Sequence, residues 1–293
     1  MEQTTIRKAL DLASSGSYLI PELVNEAIRD YASKEPVLAN IVARVPWATN
    51  TYFVRRRTAL PTSSWSTDGA ALPAASQSTF EKVSKAVKYL YTRGEVTGPM
   101  QAAAGSLYNA MSLEVEAHQR SLVEQLSSDI AVATGGSNDI EGILHQIDTN
   151  DAINWGGTGS GVVSGGATTL TLAKIDEAID MTRGEADIMV TSRQVRRKIN
   201  SLLQATQQFN DTVEVGAGFR VLSYDGIPIV TDLHWETGTD ILFFRRADAK
   251  LLVHKDFTFE ELAKTKDSVD FMIKGYFGFS LEGRPAHLNN FTL

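Results

Sequence analysis

The chain has 293 residues, 43% hydrophobic and 22% charged, the composition of an ordinary folded protein with one large domain or two smaller ones. It contains no cysteine, which excludes disulfide frameworks, thiolate metal sites and cysteine nucleophiles together. No stretch approaches the roughly 20 apolar residues of a membrane helix, and MEQTTIRKALDLASSGSYL lacks the apolar core of a secretory signal, so folding in the cytoplasm is the expectation.

The formal charge of −7 is unevenly spread. Between residues 51 and 100, Arg55, Arg56, Arg57, Lys82, Lys85, Lys88 and Arg93 face only Asp68, Glu81 and Glu95, so the remainder is strongly acidic. Three readings fit: a solvated basic hairpin, a basic arm lying on the acidic body of another copy, or a nucleic-acid contact. The last is the weakest, because the chain is acidic as a whole and has no long helix studded with lysine and arginine.

In chain order, residues 1–17 read as extended or disordered. Pro21 opens a short helix, PELVNEAIRDYA, since proline suits a first helical turn. TYFVRRR then reads as a strand, and FEKVSKAVKYLYTRGEV as its returning partner. Between them, PTSSWSTDGAALPAASQS is a tip with turn chemistry at Asp68-Gly69 and Pro73. A two-stranded arm with such a tip cannot bury itself.

The clearest helix spans 106–134. Leu107, Met111, Val115, Leu122, Leu126 and Ile130 recur at spacings of four or seven, Ser106 suits the N-cap, and Gly135-Gly136 the end. At about 1.5 Å per residue it is a rod of roughly 40 Å. The block from about 140 to 250 reads as an α+β unit. It contains a glycine-rich loop WGGTGSGVVSGG, the helix TLAKIDEAIDMTR, the strand ADIMVT and the helix SRQVRRKINSLL. A hairpin at Asp225-Gly226 and a strand pair within DILFFRRADAKLLV complete it. The tail DFMIKGYFGFSLE alternates strictly, with Phe271, Ile273, Phe277, Phe279 and Leu281 on one side, as a long strand with one covered face does.

Catalytic chemistry finds no support. The glycine loop lacks the G-x-G-x-x-G register and no glycine is followed by lysine, so it is no phosphate cradle. His118, His145, His234, His254 and His287 are scattered without metal-ligand spacing. His234-Trp235-Glu236 lacks the cysteine pair a zinc deaminase needs, and no G-x-S-x-G elbow occurs. The acidic pairs Glu114/Glu116 and Glu260/Glu261 read as solvated faces. No cofactor and no metal is expected, and the chain reads as a non-enzyme.

The order of elements is more specific than any one motif. SGSYLIPELVNEAI leads into an extended hairpin with WSTDGAALPAASQSTFEKV; a long helix, IEGIL, ADIMVTSRQVRRKINSLL, YDGIPIVTD and a final long strand follow. Across nearly its whole length this resembles the major capsid proteins of tailed bacteriophages, whose fold is shared with encapsulins and the herpesvirus capsid floor. The resemblance implies an α+β fold with an N-terminal arm and short helix at 1–50 and an extended loop at 51–98. It further implies a peripheral domain at 99–139 with spine helix 106–134, an axial domain at about 140–250, and return strands to the peripheral domain at 251–293. It also implies self-assembly through hexamers and pentamers into an icosahedral shell around double-stranded DNA, with the virion as its location and assembly in the host cytoplasm. Scaffolding, portal and decoration proteins would be further partners, and no membrane would be involved.

In such shells the extended loop crosses the adjacent subunit. Carried over, Arg55, Arg56, Arg57, Trp65, Lys82, Lys85 and Lys88 are the expected intersubunit contacts, with Glu114, Glu116 and Glu124 of the long helix as acidic partners. Trp65 is either the buried anchor at that contact or a ring folded back on its own chain. The tip from Pro61 to Ser78 has no lysine, which argues against the covalent cross-links of some family members. The short segment before the arm leaves no large N-terminal scaffolding domain, so scaffolding is expected as a separate protein or a cleaved segment. An encapsulin-like compartment and an α+β enzyme with a dimerisation arm are the alternative readings.

Overall fold

The computed structural model describes residues 37–104, 110–136, 138–148, 161–205, 212–214, 220–232, 235, 239–263 and 266–293. The helix expected at 21–32 lies outside them. The first described elements are α1 (Val37–Ile41), β1 (Ala43–Pro46), β2 (Thr51–Ala59), β3 (Thr79–Ala86), β4 (Lys88–Thr97), α2 (Gly98–Ala104) and α3 (Ala110–Val132). Next come α4 (Ile143–Asp148), β5 (Val162–Ser164), α5 (Leu172–Met181), β6 (Ile188–Thr191) and α6 (Arg193–Ala205). The chain continues through β7 (Thr212–Glu214), β8 (Arg220–Tyr224), β9 (Ile227–Thr231), β10 (Ile241–Phe244), β11 (Ala249–Glu261), β12 (Ser268–Leu281) and β13 (Ala286–Asn289).

These strands make three sheets. One has four strands in the order β1-β11-β12-β4, and a second has seven in the order β5-β13-β10-β6-β9-β8-β7. The third, among the described residues, is β2 paired with β3. Neighbouring residues of a strand point to opposite faces, and an all-apolar strand is one covered on both. β10 is such a strand, and β6 is apolar through Val190 and buried along its whole length. Ile188, Val190, Leu242 and Phe244 point into a core shared with α3, α4 and the four-stranded sheet. Met189, Ile241 and Phe243 point into a second core roofed by α5 and α6. The seven-stranded sheet is therefore the wall between two apolar interiors.

The long helix runs over the four-stranded sheet. Leu122, Leu126, Ile130 and Ala131 are buried, whereas Met111 and Val115 nearer its start are only partly covered. Its approach to β4 depends on Gly94. A Cβ there would stand 2.2 Å from the Phe271 ring and 2.8 Å from the His118 imidazole. Past the helix end, Gly135 at φ 72° donates its N–H to the Ile140 carbonyl at 3.2 Å, turning the chain toward α4. The start of the helix expected at Ser106 lies outside the described residues. At the other end of the core, the buried Asp232 carboxylate accepts the N–H of Leu38 at 3.1 Å and ties α1 to the seven-stranded sheet.

Four expectations change in detail. The returning strand of the arm is two strands, broken at Val87, whose side chain is buried and whose N–H bonds the Asn50 carbonyl at 3.0 Å. Beyond that break β4 leaves the arm and pairs with β12. β10 and β11 do not pair with each other, because a 3-10 turn at Arg246–Asp248 sends them into different sheets. β13 returns to the seven-stranded sheet, not to the long strands before it. Finally, β12 buries Phe271, Ile273, Phe277, Phe279 and Leu281 as expected, but Gly278 and Ser280 on the opposite face are buried too. The base of the arm covers that end: a Cβ on Gly278 would lie 3.3 Å from the Ala86 carbonyl. The hairpin turn at Asp225-Gly226 is as expected, with φ of 50° and 75°, both in the left-handed region that such a turn requires.

Candidate assembly interface

The base of the arm is fixed to the body by the residues that its register turns to one face. Tyr52 lies across from Lys85, and Val54 across from Val83. The Tyr52 hydroxyl donates to Glu282 Oε1 at 2.7 Å, and Lys250 Nζ donates to the other oxygen at 2.6 Å. Burial and the Glu282 carboxylate push the Tyr52 phenol up to about 12, so it remains a donor across the neutral range. The Trp47 ring meets Tyr52 edge-on, centroids 4.8 Å apart. Lys85 is buried and ion-paired to Glu141.

That last pair corrects an expectation. Lys85 was expected to reach another copy, but its register position beside Tyr52 and Val83 turns it into its own chain's body. Lys88 Nζ is likewise engaged at home, donating to the Gly136 carbonyl at 3.2 Å.

The opposite face of the arm is different. Arg55 lies across from Lys82, and Arg57 across from Phe80. The Lys82 ammonium sits 3.6 Å from the Phe53 ring centre, and the Arg57 guanidinium 5.1 Å from that of Phe80. Phe53 and Phe80 nevertheless remain 51% and 63% exposed. This face presents three cations and two rings with no carboxylate, and directly opposed like charges such as Arg55 and Lys82 weaken a strand pair. Arg56 points the other way and pairs with Glu81 at 2.7 Å. The arginine run thus splits by strand alternation, two outward and one inward.

The tip has still less support. Every residue from Ala59 to Gln77 is exposed. Within the tip, Thr62 N–H bonds Ser76 Oγ at 2.9 Å, and Ala70 N–H bonds the Thr67 carbonyl at 3.1 Å. Trp65 is 103% exposed and Leu72 92%, so the tryptophan is not folded back on its own chain. Of the acidic partners expected on α3, Glu114 lies 3.9 Å from His118 Nε2 and Glu116 3.4 Å from Arg120. Glu124 is half-buried. Sequence reasoning did not single out Phe53 or Tyr52. Period-two alternation of TYFVRRR places Phe53 with Arg55 and Arg57, but only the fold shows that this side is left largely exposed. Among the described residues no group of three or more His, Asp or Glu is arranged to hold a metal, and no helix is long and apolar enough to cross a membrane.

Known structures share this architecture. The capsid of a native GTA particle superposes with a TM-score of 0.71 at 15% identity, covering 97% of this chain and 99% of that one. A structure from Microbacterium phage Oxtober96 gives 0.70 at 15% identity, over 96% and 99% of the two chains. The SrpI encapsulin of Synechococcus elongatus PCC 7942 gives 0.73 at 12% identity, over 96% of each. At such identities the likeness establishes the fold. No curated protein matches the chain. The family model of the SU10 major capsid protein matches residues 3–288, nearly the whole length. This chain, with its self-paired arm projecting from two sheets and a long helix, therefore belongs to the SU10 major capsid protein family and is a structural subunit of an icosahedral capsid shell.

Proposed function

We propose that each copy lays its β2–β3 arm across the body of the next, and that the resulting pentamers and hexamers close a virion shell around double-stranded DNA. One observation carries this reading. Among the described residues the arm's strands pair only with each other, while Phe53, Leu60, Trp65, Leu72 and Phe80 stand exposed along it. A lone hairpin is marginal in water, and an exposed apolar surface of this extent marks a contact with another molecule. The three cations beside the rings set the register and rate of that contact more than its strength. In this reading the arm is the extended loop, α3 the spine helix, and the seven-stranded sheet with α5 and α6 the axial domain. The acidic remainder of the chain repels packed DNA from the wall. Scaffolding, portal and decoration proteins are the further partners, and assembly takes place in the host cytoplasm.

Negative-stain microscopy of the purified protein, with and without the tip 60–78 replaced by a short turn, tests this. Wild-type protein should form uniform closed shells, and the shortened variant should stay as folded, unassembled subunits. Shells from the shortened variant would end the arm-exchange reading. The encapsulin fold similarity motivates one rival, a protein-filled compartment. The contents of native particles decide between them, since DNA favours the virion and protein cargo the compartment.

A further inference from the structure

The two helices that roof the second core carry outer faces of opposite sign. Both pack on the same face of the seven-stranded sheet, α5 over β13 and β5 and α6 over β9. Their inner faces are alike: Ile175, Ala178 and Ile179 on α5, and Val195, Ile199 and Leu203 on α6. Outward, α5 exposes Asp176, Glu177 and Asp180, whereas α6 exposes Arg193, Arg196 and Arg197. Among the described residues those three arginines have no ion-pair partner. Like charges four apart destabilise a helix, and each helix carries such a pair, Asp176/Asp180 and Arg193/Arg197. The arginine face is thus unfavourable alone and the α5 face, where Lys174 offsets only Glu177, is complementary to it, yet the two lie over different strands of one sheet.

The acidic face also borders a shallow, open depression. Ala173, Asp176, Glu177, Asp180 and Met181 line a surface depression of about 450 Å³. Tyr224 donates its hydroxyl to Asp176 at 2.5 Å, and Lys174 pairs with Glu177 at 2.7 Å, so the carboxylates are held in place. An arginine fits such a site, with its methylene stem against Ala173 and Met181 and its planar fork on the carboxylates.

We propose that the arginine face of α6 docks into the acidic depression on α5 of a second copy of this chain. The contact is head-to-tail, because it joins different surfaces of the two copies, and such contacts repeat into rings when the rotation closes. It is separate from the arm and rests on the shell reading above only in that copies must meet edge to edge. An exposed arginine helix also suits phosphate, but the matching carboxylates are present in equal number on every copy, and the chain as a whole is acidic.

The test uses full-length protein under conditions where wild type forms shells; absence of wild-type shells would count against the shell reading itself. Arg196→Glu with Arg197→Glu should keep the circular dichroism and melting temperature of wild-type subunits and lose closed shells. Adding Glu177→Arg and Asp180→Arg to the same chain exchanges the signs and should restore them. If the first variant misfolds, Arg196→Gln with Arg197→Gln is read instead, with fewer shells expected. Shells at wild-type yield from the charge-reversed or neutral variant would overturn the proposal. So would a folded sign-exchanged variant that fails to assemble, or normal shells that have lost only nucleic acid, which would assign the arginines to phosphate.

Discussion

β10 and the arm both carry large apolar side chains, and the fold treats them in opposite ways. Ile241, Leu242, Phe243 and Phe244 of β10 are all buried, divided by alternation between two cores. The arm and its tip carry Tyr52, Phe53, Trp65 and Phe80, and only Tyr52, at the base, is partly covered. The difference lies in what stands opposite. β10 has a strand on each side and helices beyond, whereas among the described residues β2 pairs with β3 alone and is held to the body only near its base. Apolar surface that the chain leaves uncovered carries no stabilisation for the subunit, since burial contributes about 25 cal/mol per Å² only where water is removed. The body is thus a finished fold, whereas the arm leaves large apolar side chains open to water.

Breaking the finished half should be the most costly change. Phe243→Ala removes a ring from the second core at a strand that also walls the first, and should destabilise the subunit by about 3–5 kcal/mol in urea unfolding. A loss under about 1 kcal/mol would mean that the two cores are not a cooperative unit. The junction between the halves comes next. Lys85→Ala leaves the Glu141 carboxylate without its ammonium at the arm base and should cost about 1–3 kcal/mol. Protease cleavage near Val87 should become faster in that variant, and an unchanged cleavage rate would show that the pair does not fix the arm.

The contrast also separates what the sequence discloses from what it conceals. Periodicity found α3, α5, α6 and β12, because each has one face against a core and a period of its own. Asp225-Gly226 disclosed its hairpin through local backbone chemistry. What escaped was pairing at a distance. Nothing local says that β3 must stop at Ala86 so that β4 can join β12, or that β10 and β11 part into separate sheets across Arg246–Asp248. In the arm, charge composition marked the basic segment, but not the sides on which its members stand. Arg55 and Arg57 face away from Arg56, and Lys85 faces inward, because strand alternation and register decide direction.

A smaller effect belongs to pH. His287 is buried on β13 with Asp148 at 2.9 Å from one ring nitrogen and Asp240 at 3.1 Å from the other. Burial alone opposes its charge, but hydrogen bonds to Asp148 and Asp240 outweigh that and raise its pKa above the ordinary 6.5. A neutral ring donates through one nitrogen only and would leave one carboxylate facing a lone pair. The sign follows from linkage: this stabilisation is fully present below about 6.5 and is lost as pH rises through the higher folded value. The wild-type subunit should therefore lose melting temperature on the alkaline side, and His287→Gln should flatten that slope. Parallel profiles for the two proteins would remove His287 from the account.

The smallest effect on the subunit is the most informative about the arm. Trp65 is fully exposed, so Trp65→Ala should leave urea unfolding of isolated subunits within about 0.5 kcal/mol of wild type. If the ring is covered by another copy, the same substitution removes a large aromatic contact at every subunit junction. Shell formation followed by light scattering should then fail or require far higher protein concentration, while Phe53→Ala, on the cationic face nearer the base, should weaken it less. A Trp65→Ala variant that assembles like wild type would move the anchor elsewhere on the arm. One that unfolds more easily as an isolated subunit would mean that the tip is covered at home, and the arm would then be part of the finished fold.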